Sequence, residues 1–399
     1  MFGRTVCDEN GDELGRVRRF EDGGFHVTTA EGVSTLAQAE SKVGEKTPLW
    51  RCAECGELGD VDDVPQLCPS CGGSASKLLT AADAADATGG FSLRPAERGG
   101  MDVVVFGAGS LGSLIGGLLA RRHEVILVGR DPHMRAVEEG GLRVEGAVEA
   151  TVRPAARRDP PGSAELAVVC VKAFDTAAAA DALAGADVEV CVSLQNGMGN
   201  EATLADRLEA TVLAGTCTYG AMRPDPGVVR CTGVGEITVG APAGGPSRAA
   251  DRVGGAFGAA GLVTTVAENM PRRLWEKLAV NAGINATTAL ARVDNGALLE
   301  GPADAVAAEA AREVARVARA GGIDLTPEAA AAAVERVAAA TADNVSSMRQ
   351  DIAAGRPTEV EAIGGYVLER ARERGIDVPV NRTLTRLLRA REAGYTSST

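Results

Sequence analysis

The stretch that decides the fold is MDVVVFGAGSLGSLIGGLLARRHEVILVGR, residues 101–130. MDVVVF is an apolar run of strand length that ends in a glycine turn. SLGSLIGGLLARR repeats its apolar residues at helical spacing, and HEVILVGR is a second strand. Gly107, Gly109 and Gly112 fit G-x-G-x-x-G where that pattern has meaning, after a strand and at the opening of a helix. The first glycine permits a tight turn, the second lets a pyrophosphate approach the backbone, and the third lets helix pack on strand. The loop Gly107, Ala108, Gly109, Ser110, Leu111 and Gly112 would then cradle the phosphates of a dinucleotide at the helix N-terminus. The second strand ends at Val128-Gly129-Arg130-Asp131. An acidic residue at that tip would hold a ribose 2′-hydroxyl, as NAD requires. Arg130 comes first and suits a 2′-phosphate, so NADPH is expected ahead of NADH.

Downstream, AELAVVCVK, DVEVCVSLQN and TVLAGTCTYG are further strand-like runs with helix-like runs between them. Such alternation predicts an α/β fold with a parallel sheet covered on both faces. The strands stop near residue 268, and the remaining chain is Ala-rich and helical. A dinucleotide-binding domain over 101–268 and an all-helical domain over 269–399 are therefore expected.

Upstream, TVCDENGDELGRVRRF and EDGGFHVTTAEG read as small β-hairpins. Cys52, Cys55, Cys68 and Cys71 follow in two C-x2-C knuckles. That spacing places four thiolates around one ion, zinc ahead of iron, and leaves no open position for chemistry. The β-rich module over 1–79 resembles a zinc ribbon or a rubredoxin-like unit. Residues 80–100, rich in Ala, Asp and Gly, read as a linker, and Met101 reads as the head of a complete enzyme with a module fused in front.

The bulk composition excludes several classes. A net charge of −13 argues against a nucleic-acid surface. The acidic, polar N-terminus is no secretion signal and no apolar run spans a membrane, so the cytoplasm is the expected compartment. The five cysteines outside the cluster are expected to be reduced and buried. A homodimer, and a protein partner for the cysteine module, are compatible with a sequence that names neither.

A nicotinamide enzyme that reduces a carbonyl needs a proton donor near the oxygen. The chain has three histidines, His26, His123 and His133, and none is well placed. Lys172 and Lys277 are the only lysines after residue 100. Lys172 ends a strand at the edge where such sheets bind ligands. Lys277 lies in WEKLAVNAGIN, residues 275–285, and the helical repeat puts Asn281 and Asn285 on the same stripe. Amides in an apolar helix demand partners, so the stripe reads as a polar wall for a small ligand.

Taken with VKAFDT, LQNGMGNE, LWEKLAVNAGINATTAL and SSMRQDIAAGRPTEVEAIGGYVLERARERGIDVP, the glycine loop shows that residues 101 to about 395 resemble the ketopantoate reductase family. The resemblance implies an NADPH-dependent reduction of 2-dehydropantoate on the route to coenzyme A. It makes Lys277 the general acid and puts Glu359 beside it. It assigns Asn281, Asn285 and Ser347 to the substrate. Lys172 and Asn196 fall near the nicotinamide ribose and the substrate, and the glycines and Arg130 to the cofactor. Plainer readings exist: Glu359 could complement a helix start next to a Thr358–Glu361 capping box, and Asn196-Gly197 could be a turn. A reductase of another 2-oxo acid or an imine, and a zinc-bearing NADPH-binding regulatory protein, are the alternatives.

Overall fold

Between residues 102 and 266 the apolar runs of the sequence are strands whose successive side chains feed two different cores. The computed structural model describes residues 100–396, and eight short strands of residues 1–99 by their backbone. Met1–Gly99 and Gly100–Thr399 are separate units.

The first unit contains β1 (Thr5–Cys7), β2 (Glu13–Glu21), β3 (Gly24–Thr29), β4 (Gly32–Ala37), β5 (Leu49–Arg51), β6 (Leu58–Asp60), β7 (Leu78–Leu79) and β8 (Ser92–Leu93). They form antiparallel sheets in the orders β4-β3-β2-β1-β8 and β6-β5-β7. The stretch 80–100 read as a linker thus supplies a strand, with Leu93 opposite Val6. FSL is the one β-prone triplet in that Ala- and Gly-rich run. Cys52, Cys55, Cys68 and Cys71 lie outside the described residues.

The second unit begins with β9 (Asp102–Phe106), α1 (Ser110–Leu119), β10 (Glu124–Val128), α2 (His133–Gly140), β11 (Leu142–Gly146), β12 (Ala150–Val152), β13 (Ala155–Arg157) and β14 (Ser163–Val169). A 3-10 turn (Ala173–Asp175) and α3 (Thr176–Leu183) lead to β15 (Asp187–Ser193), α4 (Asn200–Ala205), β16 (Thr211–Cys217), β17 (Gly220–Met222), β18 (Val228–Gly233), β19 (Ile237–Gly240), α5 (Arg248–Ala259) and β20 (Thr264–Val266). The main sheet has the order β13-β10-β9-β14-β15-β16-β19-β20. Val103 and Val105 face α1 and α5 with Leu114 and Phe257, while Val104 faces α3 and α4 with Leu183 and Leu204. Both faces are therefore covered, which is why the strands are apolar throughout. Strand order reverses between β9 and β14, and the carboxyl edge at such a reversal is where this architecture binds ligands.

Two features depart from the expected all-parallel sheet. β19 runs antiparallel to β16. A second sheet, β12-β11-β18-β17, packs against α1. Its strands carry polar residues on one face, so they lack the continuous apolar runs by which the parallel strands were read.

After β20 the chain is helical: α6 (Met270–Ala291), α7 (Pro302–Ala320), α8 (Pro327–Ala340), α9 (Ser347–Ala353), a π turn (Glu361–Gly365), α10 (Tyr366–Arg374) and α11 (Pro379–Thr396). Proline in the first turn, where its missing N–H costs nothing, opens α6, α7 and α8. Thr326 and Ser346 cap α8 and α9 by accepting from Ala329 N and Arg349 N. The fully buried Glu313 caps α11 from a neighbouring helix, accepting from Val380 N at 2.9 Å and Asn381 N at 2.8 Å. Alanines fill the contact between α6, α7 and α8, which lets these helices approach closely. Among the described residues no helix is long and apolar enough to cross a membrane.

Candidate active site

The glycine loop sits at the reversal point. Gly107 has φ 100°, and a Cβ there would come within 2.7 Å of Val171 N, at the tip of the neighbouring strand. Gly107 N and Ala108 N both donate to Val128 O, at 3.0 and 2.9 Å, which closes the turn. A Cβ on Gly112 would stand 2.1 Å from Gly107 O, so helix and strand meet there without room for a side chain. Gly109 differs. Its backbone is open to any residue (φ −77°), and a Cβ would meet nothing nearer than Gly107 O at 4.0 Å. Its missing side chain therefore leaves space for a ligand rather than for the fold. No side chain caps α1, so its first amides remain available to an anion. Both observations fit a dinucleotide pyrophosphate.

His133 proves to be a brace for this loop. Gly227 N donates to its Nδ1 at 3.0 Å, so the neutral ring carries its proton on Nε2, 2.9 Å from Ser113 Oγ, which in turn donates to Ala108 O at 3.2 Å. Burial first, and Arg223 second, push the His133 pKa down to about 4. Arg223 Nη1 donates to Ala108 O at 3.1 Å from the other side. His123 is structural as well, taking Met101 N on Nδ1 and placing Nε2 2.8 Å from Ala256 O.

Arg130 is 91% exposed and lies 3.6 Å from Asp175. Asp131 is engaged elsewhere: it accepts from Arg158 Nε at 3.1 Å and from Arg135 N at 3.2 Å. The hydrogen bond from Arg158 holds its carboxyl below the usual carboxylate range.

Across the β14 tip lies a network of charges. Lys172 Nζ is 2.7 Å from Asp351 Oδ2 and 3.5 Å from Glu359 Oε2. Burial works against its charge, but Glu359 and Asp351 outweigh burial and raise its pKa. Glu359 also accepts from Ala173 N at 3.1 Å and Asn196 Nδ2 at 3.3 Å. It is thus tied to the first residue of the 3-10 turn that follows β14 and to the loop that follows β15. The capping-box alternative is absent: Glu361 pairs with Arg389, while Thr358 Oγ1 accepts from Val360 N at 3.3 Å. Asn196 and Gly197 do form a turn, with Gly197 at φ 81°, and a Cβ there would meet Ala362 Cβ at 2.5 Å. Met198 N donates to Ala362 O at 3.0 Å, which seats the sheet edge on the π turn.

Lys277, Asn281 and Asn285 share one stripe of α6, as their spacing predicts. Lys277 is half-buried, and its Nζ donates to Cys217 O at 3.4 Å. Burial lowers its pKa; Cys217, Glu359 and Glu201 oppose that shift. Glu359 therefore acts on Lys277 through space, while its direct charged contact is Lys172. Asn281 Nδ2 is buried with no hydrogen-bond partner, and Asn285 is 8% exposed. An unmet buried amide beside a desolvated lysine fits a site shaped for a polar ligand. Ser347 is exposed in the first turn of α9, and the buried hydroxyl is that of Ser346, 2.7 Å from Thr288 Oγ1.

Sequence reasoning missed Asp351, Glu201 and a buried chain of amides. Gln195 Nε2 donates to Val171 O at 3.1 Å and to Thr176 Oγ1 at 2.7 Å; Thr176 Oγ1 lies 2.9 Å from Asn200 Oδ1. Asn200 Nδ2 donates to Asn196 O at 3.0 Å. This chain ties the VKAFDT loop to the LQNGMGNE loop. Both motifs stood in the sequence, but their inward-facing polar residues look like ordinary loop residues there. Among the described residues no cluster of His, Cys, Asp and Glu could hold a metal ion.

A glycine-loop sheet that meets a helical domain across a desolvated lysine and buried carboxylates defines a dinucleotide-dependent oxidoreductase. Comparison with known proteins narrows this. Residues 103–244 match Ketopantoate reductase PanE/ApbA, and residues 269–392 match the C-terminal domain of that family. Residues 1–83 match a domain of unknown function, DUF7130. A 2-dehydropantoate 2-reductase from Halobacterium salinarum is 49% identical over 299 residues, covering 72% of this chain and 98% of the relative. One from Archaeoglobus fulgidus is 40% identical, covering 73% and 98%. The crystal structure of a PanE/ApbA family ketopantoate reductase from Ralstonia eutropha aligns with TM-score 0.69 at 36% identity, over 74% of this chain and all (100%) of that one. The chain belongs to the ketopantoate reductase family.

Proposed function

We propose that this protein reduces 2-dehydropantoate to (R)-pantoate with NADPH, with Lys277 as general acid. The observation that carries the reading is the desolvated Lys277 ammonium with the unpartnered Asn281 amide one helical turn away. The bound cofactor supplies the hydride. Lys277 Nζ gives its proton to the ketone oxygen as negative charge develops there. Its lowered pKa makes the ammonium a better acid at neutral pH, and Glu359 keeps it from losing its proton beforehand. Asn281 and Asn285, on the same stripe, orient the substrate's hydroxyl and carboxylate, with Ser347 at the start of α9. Lys172 and Asn196 flank the nicotinamide end, and residues 107–112 hold the pyrophosphate. Residues 101–268 form the cofactor domain and 269–399 the substrate domain of a cytoplasmic enzyme.

Steady-state assays with 2-dehydropantoate test the reading. Rapid NADPH oxidation is expected; no turnover with either nicotinamide cofactor, in protein that binds NADPH, would sink it. NADPH preference rests on Arg130, because Asp131 is occupied by Arg158 and is not free for a ribose hydroxyl. Arg130→Ala should raise the KM for NADPH by about 10- to 100-fold, the worth of a charged hydrogen-bonded contact. The KM for NADH should hardly change. Equal losses with both cofactors would contradict the assignment.

Cys52, Cys55, Cys68 and Cys71 are read as the ligands of a structural zinc ion. Four thiolates are the donor set of such sites, and the antiparallel β5–β6 pair, with Arg51 opposite Leu58, brackets the first knuckle in sequence and supports the reading. Metal analysis of the full chain should find zinc, and Cys52→Ser with Cys68→Ser should release it. Metal-free protein with two disulfides would contradict this.

A further inference from the structure

Asp351 plays no part in the scheme above, yet its buried carboxylate is fully committed at the centre of the site. Its Oδ2 meets Lys172 Nζ at 2.7 Å, and its Oδ1 accepts from Arg356 Nε at 3.1 Å. Lys172 comes from the sheet, whereas Asp351 and Glu359 both come from the helical part, and both are nearly inaccessible, with side chains 6% and 5% exposed. One ammonium thus stands between two buried carboxylates, 2.7 Å from Asp351 and 3.5 Å from Glu359. The shorter contact holds it on the Asp351 side. Glu359 is left with two neutral donors, Ala173 N and Asn196 Nδ2.

We propose that Asp351 is a positioning residue of the reaction: it draws Lys172 away from Glu359, so that the Glu359 charge remains directed at Lys277. The inference rests on the reading of Lys277 as the general acid. If Asp351 lost its charge, Lys172 would close on Glu359. A tight ion pair presents little net field to a third group, and burial alone would then set the proton affinity of Lys277.

The groups that face Lys277 are Cys217 from β16, Glu201 from α4 and Glu359. Several neighbouring charges are paired elsewhere: Glu276 of α6 with Arg336 of α8, Glu309 with Arg316 within α7, and Arg349 of α9 with Asp294. Glu392 of α11 accepts from Thr358 N. Glu359 is the one of these facing groups that Asp351 can influence through Lys172.

The test is the pH profile of kcat for the full chain with NADPH and 2-dehydropantoate. Activity falls on the alkaline side as Lys277 loses its proton. Asp351→Asn keeps an oxygen for Arg356 but removes the charge that holds Lys172. It should move that alkaline limb to lower pH by about one unit, since Lys277 loses an opposite charge in a partly desolvated site. Asp351→Glu, which keeps the charge, should restore the limb. In a Lys172→Met background the competitor for Glu359 is gone, and Asp351→Asn should produce no further shift. An alkaline limb left in place by Asp351→Asn, or a uniform loss of activity at every pH, would overturn the inference while the general-acid reading stood. If instead Lys277→Ala retains wild-type turnover, the reading of Lys277 fails, and this inference falls with it.

Discussion

Lys277→Ala is expected to lower kcat by about 100- to 10,000-fold, the usual worth of a positioned general acid, while the protein stays folded. Both halves of this expectation come from the same geometry. Lys277 has one hydrogen bond, to Cys217 O at 3.4 Å, and no ion pair among the described residues. Its folded-state pKa is lowered, chiefly by burial. The folded chain therefore binds that proton more weakly than the unfolded chain does, and the charged side chain opposes folding at neutral pH. Truncation removes that opposition, so the thermal midpoint should hold or rise. Steady-state kinetics and a thermal melt on the same preparation decide the matter. Turnover within a few-fold of wild type would remove Lys277 from the mechanism; collapse of the melt would assign it to the fold.

The second large effect separates two glycines that the sequence motif treats alike. Gly109→Ala should leave the melt unchanged, because a Cβ there meets only Gly107 O at 4.0 Å. It should weaken NADPH binding by about 10- to 100-fold, since the added methyl group occupies the space left for the pyrophosphate. Gly112→Ala should do the reverse in order of cause. Its Cβ would stand 2.1 Å from Gly107 O and 3.1 Å from Cys170 Cβ, so α1 must lift from β9. Overpacking of this kind costs about 1–3 kcal/mol, and the melt should fall by several degrees. Fluorescence titration with NADPH and a thermal melt measure both variants. A destabilised Gly109→Ala protein would show that the glycine serves the backbone rather than a ligand.

What the sequence disclosed depended on the range over which each interaction acts. The glycine loop and the first β-α-β unit were legible because all their determinants lie within thirty residues. The Lys277–Asn281–Asn285 stripe was legible because a helix converts a spacing of four into one face. The partner of Lys172 was not, because Asp351 stands 179 residues away and only the packing of the two domains brings them together. Glu359 could be placed beside Lys277, on which its charge acts, but its ion pair with Lys172 is set by the same packing and had no local signal. Ser346 and Ser347 are adjacent, and nothing local says which hydroxyl turns inward; the one facing Thr288 is Ser346. The second sheet was missed because Leu142–Gly146 and Ala150–Val152 are short and half-polar, the pattern of a surface loop as much as of a strand.

The π turn at Glu361–Gly365 is a matter of angular phase. Its defining bond, Gly365 N to Val360 O at 2.9 Å, spans one residue more than an α-helix allows. Deleting a residue there would let the chain run as an unbroken α-helix into α10, with a better local ladder. It would also rotate everything before the deletion by about 100° relative to everything after it. Tyr366 would keep its tilted ring contact with Trp275, 5.9 Å between ring centres, while Glu359 would swing off the sheet edge. The surplus residue is a wedge that lets one continuous stretch of chain answer to two clocks, one set by the helical core and the other by the reacting centre.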